Sequence, residues 1–524
     1  MRLLLLLFCL PMWIGAAAQN LPPTIHDLFC GVLLDDSQTA FVAFDVFDLE
    51  GDSLEATLQL SFDDGKTYAL PGPEFILNGD VGYPVVPGSG KAITCSYVGP
   101  GLSPPIRFRL IVDDRQSFDL NLLVAEADSN RMRGNLEFLE GTRHYVTGQQ
   151  QLNDSRDSLR NLFDALGLRR YSQQFNFAGT VGENIIGDLP GIGNAEQVVI
   201  IDAHYDTVNN APGADDNGSG VAGVMEAARI LSRYPFQKTM RFIGFDFEES
   251  GLAGSIRYVN QGGIQSGEEI LGVFNYEMIG YYSEAPNSQS LPAGFNLLFP
   301  EAYNQVIANQ SKGDFLTNVG NVSSTLLANL LSASAAQYVP DLKVITVLAP
   351  GNSTIAPDLR RSDHAPFWDA GYKALMLTDG ANFRNPHYHT PNDKIGNTIH
   401  FGFMRHVVQA TIAAAAQLGG IVHGDWASCG NLIIGSTAIP NPEDKCVPEW
   451  YFGLDGGLWI TAPCVQSAGM IEVFDMQGRS RALHALPPGP ESHRVGLEGL
   501  LPGAYVARLS WPGGVRALRF VRAE

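Results

Sequence analysis

The sequence predicts a multidomain chain whose central part, residues 127–422, is an α/β unit built on a mixed β-sheet with helices on both faces, carrying an all-β unit on either side. Three observations predict it. Apolar runs that read as buried strands, VVIIDAHYD, RFIGFDF and KALMLTD, alternate with stretches of helical spacing such as Val221, Val224, Met225, Ala228 and Leu231. Residues 20–125 and 465–524 instead carry short runs of alternating apolar and polar residues between Gly, Pro and Asp turns. A chain of 524 residues, 45% hydrophobic, has room for about three domains at roughly 100–200 residues each.

In chain order, MRLLLLLFCLPMWIGAAAQN is an Arg, an apolar core and a small-residue end, the pattern of a secretory signal peptide over residues 1–19 with cleavage expected near Ala18 or Gln19. The apolar run is too short to span a membrane and no later stretch is longer, so an exported protein with no transmembrane segment is expected. A formal net charge of −21 argues against nucleic acid or anionic membrane surfaces as partners.

Five cysteines follow the signal, Cys30, Cys95, Cys429, Cys446 and Cys464. In an exported chain disulfides are the default: Cys30–Cys95 would close the N-terminal domain and two of the last three would pair. The runs TAFVAFDVFD, EATLQLSF and IRFRLIVDD read as strands of that domain, and Asp45, Asp48, Asp52, Asp63 and Asp64 mark turns that are either solvated or calcium-binding. A helical connector, LEFLEGTRHYVTG then DSLRNLFDALGL, puts Leu159, Leu162, Phe163 and Leu166 on one face that would pack against the central sheet.

The residues that carry chemistry cluster in 198–255. A strand delivers His204 and Asp206 to its C-terminal end, a Gly/Asp/Asn/Ser loop places Asp216 just before a helix, and a second strand ends in Glu248 and Glu249. Ligands collect at such strand ends in α/β sheets. One His with several carboxylates, without Cys or a Ser-centred elbow, favours metal chemistry: a carboxylate can bridge two ions, and of two adjacent glutamates one can bind metal while its neighbour handles protons.

HYD, GADDNGSG, FEESGLAGS, then FNYEMIGY at 274–281 and YHTPND at 388–393, resemble the co-catalytic zinc aminopeptidase family that also includes glutamate carboxypeptidase II and the glutaminyl cyclases. The resemblance spans about residues 127–420 and implies an α/β peptidase core with two Zn2+ ions per chain, bridged by Asp216. His204 and Glu277 would complete one ion and receive the free α-amino group of a peptide substrate; Glu249 and His389 would complete the other. Glu248 would be the general base, Asp206 would orient the His204 imidazole, and Tyr388 matches an oxyanion-stabilising tyrosine of some members. The family has Asp where this chain has Glu277, a longer arm with the same donor atoms. His364 and His387 compete for the last ligand position, which the HTxxD pattern assigns to His389 with Asp393 as its partner. Loops between Tyr281 and Leu359 are expected to wall the substrate cleft.

The function implied is a secreted di-zinc aminopeptidase. The alternatives are a single-zinc glutaminyl cyclase, whose last ligand motif resembles WHT rather than the YHT here, and a non-catalytic binding module, against which the complete ligand set and Glu248 argue. At the N-terminus FDVFDLEGDSL and SFDDGKTYALP resemble immunoglobulin-like or fibronectin-like modules. After a cysteine-bearing linker at 423–464, the pieces DMQGR, LEGLLPGAYVARL and a basic closing strand resemble C-terminal sorting domains of the type IX secretion system, so that export machinery becomes an expected partner. The fold class is then an α/β peptidase core with N-terminal and C-terminal β-sandwich domains.

Overall fold

A computed structural model describes residues 20–32, 38–63, 65, 67–99, 106–432, 449–452, 458–461, 469–475, 480–487, 492–497, 500, 503–511 and 514–522. The expected signal peptide, Asp64, Cys446 and Cys464 lie outside them. Among the described residues no helix is long and apolar enough to cross a membrane.

At the centre is an eight-stranded sheet in the order Lys343–Ala349, Phe315–Asn321, Ala374–Thr378, Glu269–Tyr276, Asn194–His204, Lys238–Phe245, Thr180–Leu189, Arg169–Phe177. It is mixed. The four strands from Ala374–Thr378 to Lys238–Phe245 are mutually parallel, and antiparallel partners flank them on both sides. Parallel strands are covered on both faces, so their sequences read as continuous apolar runs. Alternation along the His204 strand shows how. Val199, Ile201 and Ala203 enter one apolar cluster with the helices Ser129–Leu139, Gln149–Ala165, Gly220–Leu231 and Phe401–Gly419, while Val198 and Ile200 enter another with Ala253–Asn260, Pro300–Ala308 and His364–Asp369. Leu159 and Phe163 are buried in the first cluster, with Leu162 and Leu166 packed against it.

The N-terminal unit has two four-stranded sheets, Thr24–Val32, Thr39–Phe47, Gly88–Tyr97, Phe75–Gly79 and Gly424–Leu432, Ile106–Asp113, Leu54–Ser61, Gly82–Val85, around one apolar cluster. Two expectations fail here. Residues 424–432, read as the start of a linker, form a strand paired antiparallel with Ile106–Asp113. The disulfide joins Cys30 to Cys429, Cα–Cα 5.9 Å, and Cys95 is a buried free thiol. The strand Thr39–Phe47 lies between Cys30 and Cys95, pairing Val42 with the first and Ala40 with the second. Two strand spacings are roughly 9.6 Å, beyond the roughly 7 Å a disulfide tolerates.

The remaining strands also begin earlier than the sequence indicated. Glu449–Phe452, Leu458–Thr461 and Ser492–Val495 form one sheet, Ser480–Leu486, Gly469–Asp475, Gly503–Trp511 and Gly514–Arg522 another, and Leu458, Ile460, Ile471, Val473, Val495 and Leu509 share one cluster between them. The strands Glu449–Phe452 and Leu458–Thr461 thus belong with the C-terminal strands rather than with a linker.

The N-terminal unit is fixed to the back of the central sheet by Arg109, a guanidinium 1% exposed. It donates to Gln59 Oε1 at 2.9 and 2.7 Å, to the Pro190 carbonyl at 3.0 Å and to the Gly191 carbonyl at 2.9 Å, and Gln59 in turn donates to the Ile192 carbonyl. Residues 190–193 are the turn into the His204 strand. His423 and Asp114, both buried and 2.7 Å apart, make a second tie. Replacing Arg109 with Leu strips the partner from three buried acceptors, at about 1–3 kcal/mol for each group left unsatisfied. Arg109→Leu is expected to loosen the N-terminal unit by about 3 kcal/mol or more in total; faster amide exchange in Leu54–Ser61 and Ile106–Asp113, with exchange in the His204 strand unchanged, is the measurement.

Candidate metal centre

The four adjacent parallel strands all end at one edge of the sheet, and each supplies a group there. The His204 strand ends in His204 itself, Lys238–Phe245 runs on to Glu248 and Glu249, Glu269–Tyr276 to Glu277, and Ala374–Thr378 opens the loop that returns with Tyr388 and His389. Asp216 comes from the turn Ala214–Ser219, which crosses the edge before the helix Gly220–Leu231. Left-handed backbone concentrates here. Phe247 before Glu248 (φ 54°), Met278 after Glu277 (φ 55°) and His389 (φ 57°) each adopt it without being glycine, at about 1–2 kcal/mol apiece.

All five residues expected to bind metal converge. His204 Nε2 lies 3.6 Å from Asp216 Oδ1 and 3.4 Å from Glu277 Oε2. His389 Nε2 lies 3.0 Å from Asp216 Oδ2 and 3.2 Å from Glu249 Oε2. His204, Asp216 and Glu277 therefore form one triad and Asp216, Glu249 and His389 a second, each with ligand atoms within 4.8 Å of one another. Asp216 belongs to both, one oxygen to each. Both ring nitrogens of His204 and Glu249 Oε1 are buried without a hydrogen-bond partner. Orphaned acceptors with two imidazoles are a donor set suited to borderline first-row cations such as zinc.

Neighbouring side chains hold this arrangement. Asp206 Oδ1 sits 3.4 Å from His204 Nδ1, and the Asp206 carboxylate also accepts the Glu248 and Glu249 N–H groups at 3.0 and 3.2 Å, so it ties two strand ends together. Asp393, expected to orient His389, instead accepts the Asp215 and Asp216 N–H groups at 2.9 and 3.1 Å and so fixes the turn that carries the shared carboxylate. That turn starts at Gly213 in the left-handed region (φ 62°), where a Cβ would collide with Thr207 and with the Asp216 carbonyl. Arg143, fully buried, spends its guanidinium on the carbonyls of Leu139, Gly141, Tyr205, Pro212 and Gly213, so its charge acts on the acids nearby without pairing with one.

Charge follows the geometry. Burial disfavours a protonated His389 ring, but hydrogen bonds with Asp216 and Glu249 outweigh it and push the ring up to about 10. Burial opposes ionisation of Asp216 too, yet the bond from His389 and the two rings hold its carboxyl below the usual range. Burial, joined by the charges of Glu277 and Glu249 and opposed by His204, lifts Glu248 well above the ordinary carboxylate range. Its Oε2 is 3.8 Å from His204 Nε2. A metal entering the His389 triad has to displace that ring's proton.

The two competing histidines stand apart. His364 is buried, with Nε2 bonded to the Leu359 carbonyl at 2.9 Å, and burial pushes it down to about 4. His387 contributes main-chain bonds to Asn385 and Thr390. The acidic turns of the N-terminal unit bring Asp48 and Asp52 near Asp114. Asp48 Oδ1 there caps the Asp52 N–H and Asp114 Oδ2 is taken by His423 and Asn20, so these oxygens are engaged in holding the fold.

Two residues escaped the reading of the sequence. Ser362 Oγ donates to Glu277 Oε2 at 2.6 Å, and Arg361 donates to the Tyr388 hydroxyl at 2.7 Å. Both lie in RRSDHAPF, a stretch whose only ligand-type side chains drew attention to His364. Beside the triads a cleft open to solvent has Glu277, Arg361 and Tyr388 in its wall and Leu291, Phe295, Phe315, Val347 and Met376 among its apolar lining.

Residues 184–415 match the family model for Peptidase family M28. Over 300 residues the chain is 30% identical to the uncharacterized protein YfbL of Escherichia coli, covering 53% of this chain and 86% of that protein. The chain belongs to peptidase family M28. This peptidase is also 31% identical over 229 residues to aminopeptidase YwaD of Bacillus subtilis, which accounts for 42% of this chain and 41% of the relative, less than half of its length. Among solved structures, the LapA aminopeptidase of Legionella pneumophila superposes with a TM-score of 0.44 at 21% identity, over 57% of this chain and 73% of that one.

Glu277 reaches its triad on a longer arm than an aspartate and is steadied by one serine hydroxyl. Glu277→Ala is expected to lower zinc content from about two ions per chain to about one, the His389 triad keeping its own; elemental analysis of the purified variant checks this, and loss or retention of both ions contradicts the partition into two triads.

Proposed function

We propose that this chain is a di-zinc aminopeptidase that removes N-terminal residues from peptides. The observation that carries the reading is Asp216, whose two oxygens face two different imidazoles in triads that lack an internal hydrogen-bond partner for several buried atoms. One zinc would be held by His204, Asp216 and Glu277, the other by Asp216, Glu249 and His389. When bound, the ions supply polarisation of the scissile carbonyl and acidification of the attacking water.

The rest falls to side chains. Glu248, its proton affinity raised by burial and by its acidic neighbours, takes the proton of the attacking water and returns it to the leaving amine. Glu277, in the cleft wall, offers negative charge to the free α-ammonium of the substrate, and the first side chain then enters the apolar cleft beside it. Tyr388 donates its hydroxyl to the oxygen that becomes negative in the transition state. Two complete triads favour hydrolysis with two ions over the single-zinc glutaminyl cyclase reading.

An exported localisation is part of the same proposal. A secretory signal at 1–19 and C-terminal strands ending in a basic segment support export, with an immunoglobulin-like sandwich at the N-terminus and a type IX sorting sandwich at the C-terminus. Export machinery is then the partner of the C-terminal unit, and peptides with a free N-terminus are the partners of the site.

Turnover of aminoacyl p-nitroanilides that stops on chelation and returns with zinc is the expected result for the purified protein. Glu248→Gln should lower kcat by about 10³-fold with zinc content unchanged, as loss of a general base does; substantial residual turnover, or loss of zinc, removes Glu248 from that role. Deleting residues 449–524 should leave this activity intact in purified protein and retain the enzyme in the periplasm of its own host, as read by fractionation; normal release of the truncated chain refutes the sorting assignment.

A further inference from the structure

We propose that Arg361 is a positioning residue whose guanidinium makes the Tyr388 hydroxyl a one-way donor toward the substrate carbonyl. The proposal rests on the aminopeptidase reading above. A guanidinium has donors and no acceptor, so the 2.7 Å contact from Arg361 Nη2 uses the phenolic oxygen as an acceptor. The single phenolic hydrogen must then point elsewhere. Among the described residues Arg361 is the hydrogen-bond partner of that hydroxyl, which leaves the hydrogen to the cleft that Tyr388 itself lines.

The ring is fixed independently. It stacks on His389 with centroids 3.8 Å apart and planes 18° apart, so the place of the hydroxyl is set relative to the second triad. Conjugation keeps the O–H in the plane of the ring but leaves it two directions; the contact with Arg361 excludes one of them. Arg361 is itself held, Nη1 donating to Asn382 Oδ1 at 3.0 Å and lying 3.7 Å from Asp358 Oδ1. Ser362, the next residue, donates to Glu277. A single short turn therefore touches both the carboxylate assigned to the substrate amine and the hydroxyl assigned to its carbonyl, and it sets the distance between them. A preorganised donor is worth more than a mobile one because it needs no reorientation as charge develops.

A double-mutant cycle on the zinc-loaded enzyme with a leucyl p-nitroanilide tests this. Tyr388→Phe should lower kcat about 100-fold with little change in KM, the size expected for loss of one oxyanion donor. Arg361→Met should lower kcat about tenfold at constant KM, zinc content and Tm, and Arg361→Lys, which keeps a cationic donor, should recover most of it. Adding Arg361→Met to Tyr388→Phe should cost nothing further. A full Arg361→Met effect in the Tyr388→Phe background, or one that falls on KM, overturns the proposal by making Arg361 a direct substrate contact. A second readout needs no turnover: the Tyr388 13Cζ resonance, assigned by its loss in Tyr388→Phe, should move in Arg361→Met and be largely kept in Arg361→Lys, and an unmoved resonance also overturns it. Absence of wild-type hydrolysis would refute the aminopeptidase reading alone, since the resonance still reports the Arg361 contact.

Discussion

Asp216 stands between His204 and His389 with one carboxylate oxygen toward each ring, and the surrounding structure is arranged to keep it there. Its backbone is clamped by Asp393, its turn is anchored by Asn217 to the Tyr276 carbonyl and the Met278 N–H, and Gly213 supplies the backbone conformation that starts the turn. The strand ends contribute groups that are useful only at the distances this carboxylate sets. Neighbouring parallel strands are about 4.8 Å apart, so four of them span roughly 14 Å, and it is the loops after them that bring their ligand side chains back to one place.

The same constraint creates an electrostatic problem. Asp202, Asp206, Asp215, Asp216, Asp363, Asp379 and Asp393 are almost wholly buried around one edge of the sheet, with Glu248, Glu249 and Glu277 close by. Isolated buried charges cost several kcal/mol each, and burial accordingly pushes Asp363 up to about 7 and Asp379 and Asp393 up to about 6. Arg143 contributes one positive charge from below while its donors stay on main-chain carbonyls. Bound cations are a counter-charge that the remaining negative groups fit.

The N-terminal unit is joined to the central unit behind the site. Arg109 and Gln59 together grip residues 190–192, at the entry to the strand that ends in His204, and the strand 424–432 returns the chain from the last core helix to the N-terminal sheets, where Cys429 is bonded to Cys30. The central unit is thus tied at the turn that starts its key strand and at its C-terminal exit.

What could be read from the sequence was whatever is local. His204 with Asp206, Asp216 before its helix and the Glu248–Glu249 pair each sit in a short stretch whose strand or helix periodicity places it at an element's end, while Glu277 and the Tyr388–His389 pair are legible only through the resemblance of FNYEMIGY and YHTPND to a known family. The alternation of buried runs with helical spacing likewise gave the mixed sheet covered on both faces. Tertiary structure alone decided the rest, because the deciding contacts join residues far apart in the chain with no periodic signal between them. Cys30 meets Cys429 across 399 residues, and the strand 424–432 pairs with Ile106–Asp113. The partners of Asp393 and Arg361 follow the same rule: a carboxylate or guanidinium in a loop advertises its chemistry in the sequence, but which backbone N–H or hydroxyl it meets depends on how the folded loops pack.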